Sequence, residues 1–323
     1  MTELAERPIF IVGHPRSGTT LLRFLLSSHP RIHIPEETGF LPFLAKDREI
    51  EAELSLARVQ QIVERIGRLN RLWQGLVTDV PAFYAALPEP KLRFVLDALY
   101  RRQIAEHGAA RWGDKTPVYV RYMPTLDQIF PSAQFVHMIR DGRDAALSAR
   151  EKWPDRRRYM DHYYLLKNWV RNVDAGQKAG RDLGPDRYLE VRYERLVQDP
   201  QPVLEEICSF LGETFQPAML DHVQLARRIG PGPQGHVEVL QPISTASVGR
   251  WKTDLSPFDQ KMADRLAGPT LLVLGYELAE SGPLSAGDTA RWLFLAARFR
   301  LVDGTRGLLY ALGVLTLNRG MRR

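Results

Sequence analysis

The strongest constraint on the fold of this chain is a strand, a glycine-bounded loop and a helix in immediate succession near its start. Residues 8–13, Pro-Ile-Phe-Ile-Val-Gly, form a short apolar run rich in β-branched and aromatic side chains, which predicts a buried strand. Gly13 to Gly18 is a tight polar loop, and residues 19–28, Thr-Thr-Leu-Leu-Arg-Phe-Leu-Leu-Ser-Ser, predict the helix that follows. His29-Pro30 stops that helix. A loop of this kind turns successive backbone N–H groups toward one point, and the helix N-terminus adds positive potential there. Both favour a phosphate.

The rest of the chain repeats the alternation. Helical spacing predicts helices over 49–72 and 90–107, the second through Leu92, Val95, Leu96 and Leu99. Residues 111–117 predict a short strand running into a loop, 133–139 a second buried strand, and 187–191 a third. Helices are expected over 141–152, 159–180, 200–226 and 256–274. Strands alternating with helices imply an α/β fold, a P-loop-like and mainly parallel sheet flanked by helices. Ligands of such sheets sit beyond the carboxyl ends of the strands. The polar clusters at 14–20, 114–116 and 140–148 all fall at such ends.

At 323 residues, 44% hydrophobic and 25% charged, the chain is of ordinary globular composition. It shows neither an internal repeat nor a low-complexity linker, so one domain over 1–285 with helical insertions is expected, followed by a helical tail over 286–323. The net charge of +6 suits an anionic ligand or a membrane surface without choosing between them, and is also met by a solvated basic surface. The single cysteine, Cys208, excludes an internal disulfide framework and a cysteine metal cluster; its setting is the inner face of an amphipathic helix. The apolar run at 8–13 is too short for a signal peptide, and that at 307–317 too short for a spanning helix. A reducing, cytoplasmic location is the expectation.

Gly13-His14-Pro15-Arg16-Ser17-Gly18-Thr19-Thr20 has P-loop glycine spacing, but Thr19 stands where a nucleoside-triphosphatase has lysine, and the loop's cation is Arg16. No apolar strand ends in an aspartate suited to Mg²⁺. A kinase-like or triphosphatase reading stays open, as does a nucleotide-binding module without catalysis. A second anion site is expected where strand 133–139 ends: Arg140 offers a guanidinium fork, and Ser148 a hydroxyl two turns into the next helix. Taken alone, an ion pair of Arg140 with Asp141 or Asp144 explains that arginine equally well.

Together the motifs carry a resemblance. Residues 15–22, Pro-Arg-Ser-Gly-Thr-Thr-Leu-Leu, resemble the 5′-phosphosulfate loop of sulfotransferases that use 3′-phosphoadenosine-5′-phosphosulfate (PAPS). Residues 140–148, Arg-Asp-Gly-Arg-Asp-Ala-Ala-Leu-Ser, resemble their 3′-phosphate motif. The arginine in the loop is similar to the branch that holds protein-tyrosine sulfotransferases and many bacterial sulfotransferases. The resemblance implies a sulfotransferase fold and transfer of a sulfuryl group from PAPS to a hydroxyl or amine, with no metal. It implies that Arg16, Ser17, Gly18, Thr19 and Thr20 hold the 5′ end and that Arg140 and Ser148 hold the 3′-phosphate. Pro35-Glu36-Glu37-Thr38 is similar to the segment carrying the general base, which makes Glu37 the candidate base. Gly113-Asp114-Lys115-Thr116-Pro117 is similar to the segment whose lysine meets the transferring group. Tyr193 would lie near the adenine, and Ser247, Arg250, Trp251 and Lys252 belong to a late loop that closes over the nucleotide.

Each assignment has a plainer counterpart. Arg16 braces the loop, Glu37 caps a helix, Lys115 is a solvated charge, and Tyr193 and Trp251 are core aromatics. His14 and His33 compete with Glu37 as base, whereas His137 reads as a satisfied core residue. Two departures argue against a protein-tyrosine acceptor: Gly39 replaces the branch's substrate-binding arginine, and the branch's N-terminal membrane anchor is not seen. A small-molecule, glycan or lipid-linked acceptor is expected instead, and no nucleic acid. The tail mixes Trp292, Leu293, Phe294, Leu295, Phe299 and Leu301 with arginines. It either packs on the domain or on a second subunit of a homodimer, or lies peripherally on a membrane.

Overall fold

The computed structural model describes residues 4, 6–44, 47–156, 160–230, 236–279 and 282–311. Five strands form one sheet: β1 (Ile9–Gly13), β2 (Ile32–His33), β3 (Arg111–Lys115), β4 (Gln134–Ile139) and β5 (Tyr188–Arg192). Their order is β2-β3-β1-β4-β5, and every adjacent pair is parallel. Along β1 the side chains alternate. Phe10 and Val12 join one core with Trp112, Phe135 and Tyr100; Ile9 and Ile11 join a second with Val136, Met138 and Leu25. Both faces are therefore covered, which is why β1 reads as an unbroken apolar run.

The helices follow in chain order: α1 (Thr19–Ser27), α2 (Asp47–Ile50), α3 (Leu56–Leu69), α4 (Val80–Ala85), α5 (Leu92–Ile104), α6 (Met123–Ile129), α7 (Gly142–Lys152), α8 (His162–Leu183), α9 (Tyr193–Gln198), α10 (Pro200–Leu211), α11 (His222–Ile229), α12 (Trp251–Asp254), α13 (Pro257–Val273) and α14 (Ala286–Ala311). The helix expected over 49–72 is divided. Ser55 caps α3 by accepting the Arg58 N–H, and the Leu54 N–H leaves the segment to bond the Pro90 carbonyl. The stretch 200–226 is divided too, because α10 ends at Gly212 in the left-handed conformation (φ 74°). Strand β2 is too short to show a period, and α6 hides behind Pro124 near its start.

The tail packs inward over its described part. Trp292, Leu295, Ala296 and Phe299 of α14 lie against Tyr163 and Leu166 of α8 and Phe258 and Met262 of α13. Ion pairs Arg171–Asp303 (2.9 Å) and Arg298–Asp161 pin it further. Leu293, Phe294 and Leu301 remain exposed on its outer side. Among the described residues no helix is long and apolar enough to cross a membrane.

Parallel register brings the carboxyl ends of the strands to one edge. Lys115 lies opposite Ile11, Met138 opposite Gly13, and Arg192 opposite Ile139. The glycine loop, the loop after β3 and the start of α7 consequently share that edge.

Candidate active site

The loop after β1 requires its glycines. Gly13 passes so close to β4 that a Cβ there would meet the Met138 carbonyl oxygen at 2.4 Å. Gly18 sits at φ 86°, where a Cβ would also strike the Tyr193 ring at 2.4 Å. Between them Arg16 adopts φ 72°, the left-handed region, and among the described residues no other non-glycine does so. Such a conformation costs about 1–3 kcal/mol and is characteristic of functional loops. The Ser17 N–H turns back to the His14 carbonyl (3.2 Å), while the Ser17 hydroxyl is fully buried with no partner among the described residues. A buried, unpaired hydroxyl beside a helix N-terminus is what an anion site provides.

The two arginines singled out in the sequence meet in this cleft. Arg140 is buried and donates to the Arg16 carbonyl (3.0 Å) and the Ser247 carbonyl (2.6 Å). Its Nε is buried without a partner among the described residues, and its guanidinium lies over the Tyr193 ring, 4.6 Å from the centroid. The expected competition from Asp141 is absent among the described residues, because Asp141 takes Arg143 (2.7 Å). Arg16 reaches across to Ser148 (3.1 Å), His236 (3.2 Å) and the exposed Glu238 (3.1 Å). Arg16 and Ser148, assigned to opposite ends of one ligand, are thus in direct contact here. Tyr193 serves both readings, being buried in the core cluster and packed against Gly18.

Beside the loop stands an ion pair. The Lys115 ammonium, almost wholly buried, donates to Glu37 and to the Thr20 hydroxyl (3.2 Å). Lys115 is therefore no solvated charge. Glu37 lies outside any helix or strand and no helix begins there, so the capping role does not apply; Asn70 holds its carbonyl at 3.3 Å. Neighbouring Asp114, which the sequence did not single out, is fully buried. It accepts hydroxyls from Tyr100 (2.5 Å), Thr38 (2.6 Å) and Thr116 (2.7 Å). Burial pushes its carboxyl above the usual range, against these hydrogen bonds. Because Thr38 follows Glu37 directly, Asp114 clamps the base segment to β3.

Burial weakens the two candidate histidines as bases. Burial, then the nearby Arg121 guanidinium, pushes His14 down to about 3. His33 is pushed down to about 3 by burial and its neighbour His107, on which it stacks at 3.6 Å in β2. His137 bonds the Tyr188 hydroxyl (2.7 Å) through Nδ1, but its Nε2 is a buried atom without a partner among the described residues, so the core position is only half satisfied. Cys208 is buried against Met219, and burial pushes its thiol up to about 11, far from a reactive thiolate.

The late loop docks through its backbone. Asp144 of α7 accepts the N–H groups of Gly249 (2.7 Å) and Trp251 (2.8 Å), and the Trp251 ring lies under the Arg143 guanidinium (3.5 Å to the centroid). Ser247 contributes its carbonyl to Arg140. The side chains of Arg250 and Lys252 are turned to carboxylates instead: Arg250 to Glu151 and Asp254 (2.9 Å), Lys252 to Glu277. Asp144 was visible in the motif but its role was not, since its partners lie more than a hundred residues on. Among the described residues no group of His, Cys, Asp or Glu side chains is arranged to hold a metal ion.

Comparison with known proteins agrees with this geometry. A family model described as the sulfotransferase family matches residues 8–217. The protein-tyrosine sulfotransferase of Drosophila melanogaster is 28% identical over 298 residues, 88% of this chain and 54% of that protein. Protein-tyrosine sulfotransferase 2 of Gallus gallus is 29% identical over 282 residues, 83% of this chain and 69% of that protein. This chain thus spans about half the length of the fly relative. Among solved structures, the sulfotransferase domain of the Synechococcus PCC 7002 olefin synthase superposes with a TM-score of 0.55 at 26% identity, covering 86% of this chain and all of that one. The sulfotransferase domain from the curacin biosynthetic pathway gives a TM-score of 0.59 at 24% identity over the same shares, a likeness of fold. The sheet order, the loop built around Arg16 and the matched stretch agree: this chain belongs to the sulfotransferase family.

Proposed function

We propose that this protein transfers a sulfuryl group from PAPS to a hydroxyl or amine of a small-molecule, glycan or lipid-linked acceptor. One observation carries the reading. Arg140 donates to the Arg16 carbonyl, and two buried polar atoms beside them, Ser17 Oγ and Arg140 Nε, have no partner among the described residues. Buried polar groups are normally satisfied, and a bis-phosphorylated adenosine would satisfy both. In this reading the backbone of 17–20 and the start of α1 bind the 5′-phosphate, while Arg140 and Ser148 bind the 3′-phosphate. The direct Arg16–Ser148 contact then opens when the nucleotide enters between them.

In-line displacement needs a nucleophile opposite the leaving phosphate, fixed cations where negative charge grows, and a base for the acceptor proton. Phosphoryl transfer supplies the analogy. Arg16 and Lys115 would supply the cations, and Glu37 would take the proton. The Lys115–Glu37 pair supports this division, since it brings a cation and a carboxylate to the loop together. Thr19 in place of the P-loop lysine disfavours nucleoside triphosphates.

The test is thermal shift with 3′-phosphoadenosine-5′-phosphate (PAP) against ADP and ATP. Stabilisation by PAP alone is expected, about 2.7 kcal/mol at a hundredfold excess over Kd. Equal stabilisation by ATP with Mg²⁺ would remove the PAPS reading.

A further inference from the structure

Every nitrogen of the Arg16 guanidinium is engaged, and its three partners differ in kind. Nε donates to the Ser148 hydroxyl (3.1 Å), Nη1 to His236 Nδ1 (3.2 Å) and Nη2 to the Glu238 carboxylate (3.1 Å). Nε and Nη2 point their N–H groups in parallel, and this is the edge of a guanidinium that grips a phosphate or carboxylate with two bonds. Ser148 and Glu238 fill that edge. His236 holds the remaining nitrogen. Because a guanidinium can only donate, Nδ1 is the acceptor and the ring is neutral. Burial, then the nearby Lys115 and Arg16 cations, pushes His236 down to about 3, which puts the imidazole beside both cations of the site.

Glu238 is the partner that can leave. Its side chain is 58% exposed, against 14% for Arg16. Its main chain is fixed, because Val239 is buried and Leu240 packs with it against Phe24 of α1 and Leu225 and Ala226 of α11. The carboxylate can therefore rotate off Arg16 into water without any shift of the backbone. An anion arriving at the Nε–Nη2 edge meets a group of its own charge there, and the two cannot both bind. We propose that Glu238 is a resident competitor of the nucleotide's 5′ anion: it occupies the gripping edge of Arg16 in the free protein and is displaced when the 5′ end binds, while His236 keeps the guanidinium in place. The inference rests on the PAPS reading above and adds to it an autoinhibitory contact built into the site.

Two variants separate occupancy of Arg16 from charge alone. Glu238→Gln removes the charge. Glu238→Asp keeps the charge but withdraws the carboxylate by one methylene, out of reach of Nη2 while the main chain is fixed. Calorimetry compares wild type and both variants with PAP and with adenosine 3′-phosphate, which lacks the 5′ group. Both variants are expected to bind PAP about two- to fivefold more tightly than wild type, the scale of a half-exposed ion pair. Affinity for adenosine 3′-phosphate is expected to change by less than about 1.5-fold, since that ligand places no anion on Arg16.

The inference is overturned unless both variants bind PAP more tightly than wild type. A gain confined to Glu238→Gln would come from charge at a distance, because Glu238→Asp keeps that charge while freeing Arg16. An equal gain for adenosine 3′-phosphate overturns it as well. A wild-type protein that binds no PAP at all instead overturns the nucleotide reading itself, and this inference falls with it.

Discussion

Chemistry in the cleft depends on a few side chains whose states are set by burial. Lys115 and Glu37 form a nearly dry ion pair, and removing one partner of such a pair leaves the other uncompensated. Glu37→Gln keeps the shape and a hydrogen-bond acceptor for Lys115. It is expected to lower kcat about 10²–10⁴-fold with a competent acceptor, while PAP affinity measured by calorimetry changes little. An unchanged kcat would return the role of base to another group. Gly18→Ala places a methyl against the Tyr193 ring at a backbone angle that alanine resists. Its expected result is a Tm drop of several degrees together with loss of PAP binding; a variant with wild-type affinity would show that the loop tolerates a side chain there.

Between elements, the loop near 247–251 is attached to α7 by one carboxylate. Asp144 accepts two backbone N–H groups, and hydrogen bonds to charged groups contribute about 1.5–3 kcal/mol each. Asp144→Ala is therefore expected to make residues 247–252 the first site of limited proteolysis and to weaken PAP binding about tenfold. Protection of that loop equal to wild type would mean that the Trp251–Arg143 contact alone holds it. Helix α14 is attached differently, by an apolar stripe. Phe299 is buried between α8 and α13 and under the Arg171 guanidinium. Phe299→Ala is expected to cost about 3 kcal/mol in denaturant unfolding, with PAP affinity retained. A negligible cost would mean that the helix contributes nothing to the domain's stability.

At the scale of the whole molecule, burial of neutral histidines makes the fold acid-sensitive. His14, His33, His137 and His236 are each held down to about 3 from an ordinary value of 6.5, with burial the largest cause in every case. The unfolded chain binds protons below about 6.5 that the fold refuses. The stability linked to these groups is complete above 6.5 and is lost as pH falls toward 3. Asp114 and Asp144, raised by burial, act in the opposite sense above about 3.8. Tm is expected to fall between pH 6.5 and 4, and His137→Phe is expected to flatten the slope by up to one proton. A pH-independent Tm over that range would contradict the buried neutral imidazoles.

What the sequence by itself determined is local and periodic. The apolar strand at 8–13, the glycine loop at 13–18, the strand at 133–139 ending in Arg140, and the parallel α/β class all follow from neighbours a few residues apart. Boundaries failed where a cap or a left-handed glycine intervened, as at Ser55 and Gly212, because those signals compete with the helical period without erasing it. Only the tertiary structure decided the states of the site. Glu37 meets Lys115 across 78 residues, Gly249 meets Asp144 across 105, and Asn172 meets His14 across 158. No local pattern encodes which partner a side chain finds after such separations, or whether water reaches it. Yet partner and burial together set charge, tautomer and direction of donation. The same limit applied to the tail, whose apolar and basic residues suited inward packing and a membrane equally until α8 and α13 supplied a surface for Phe299.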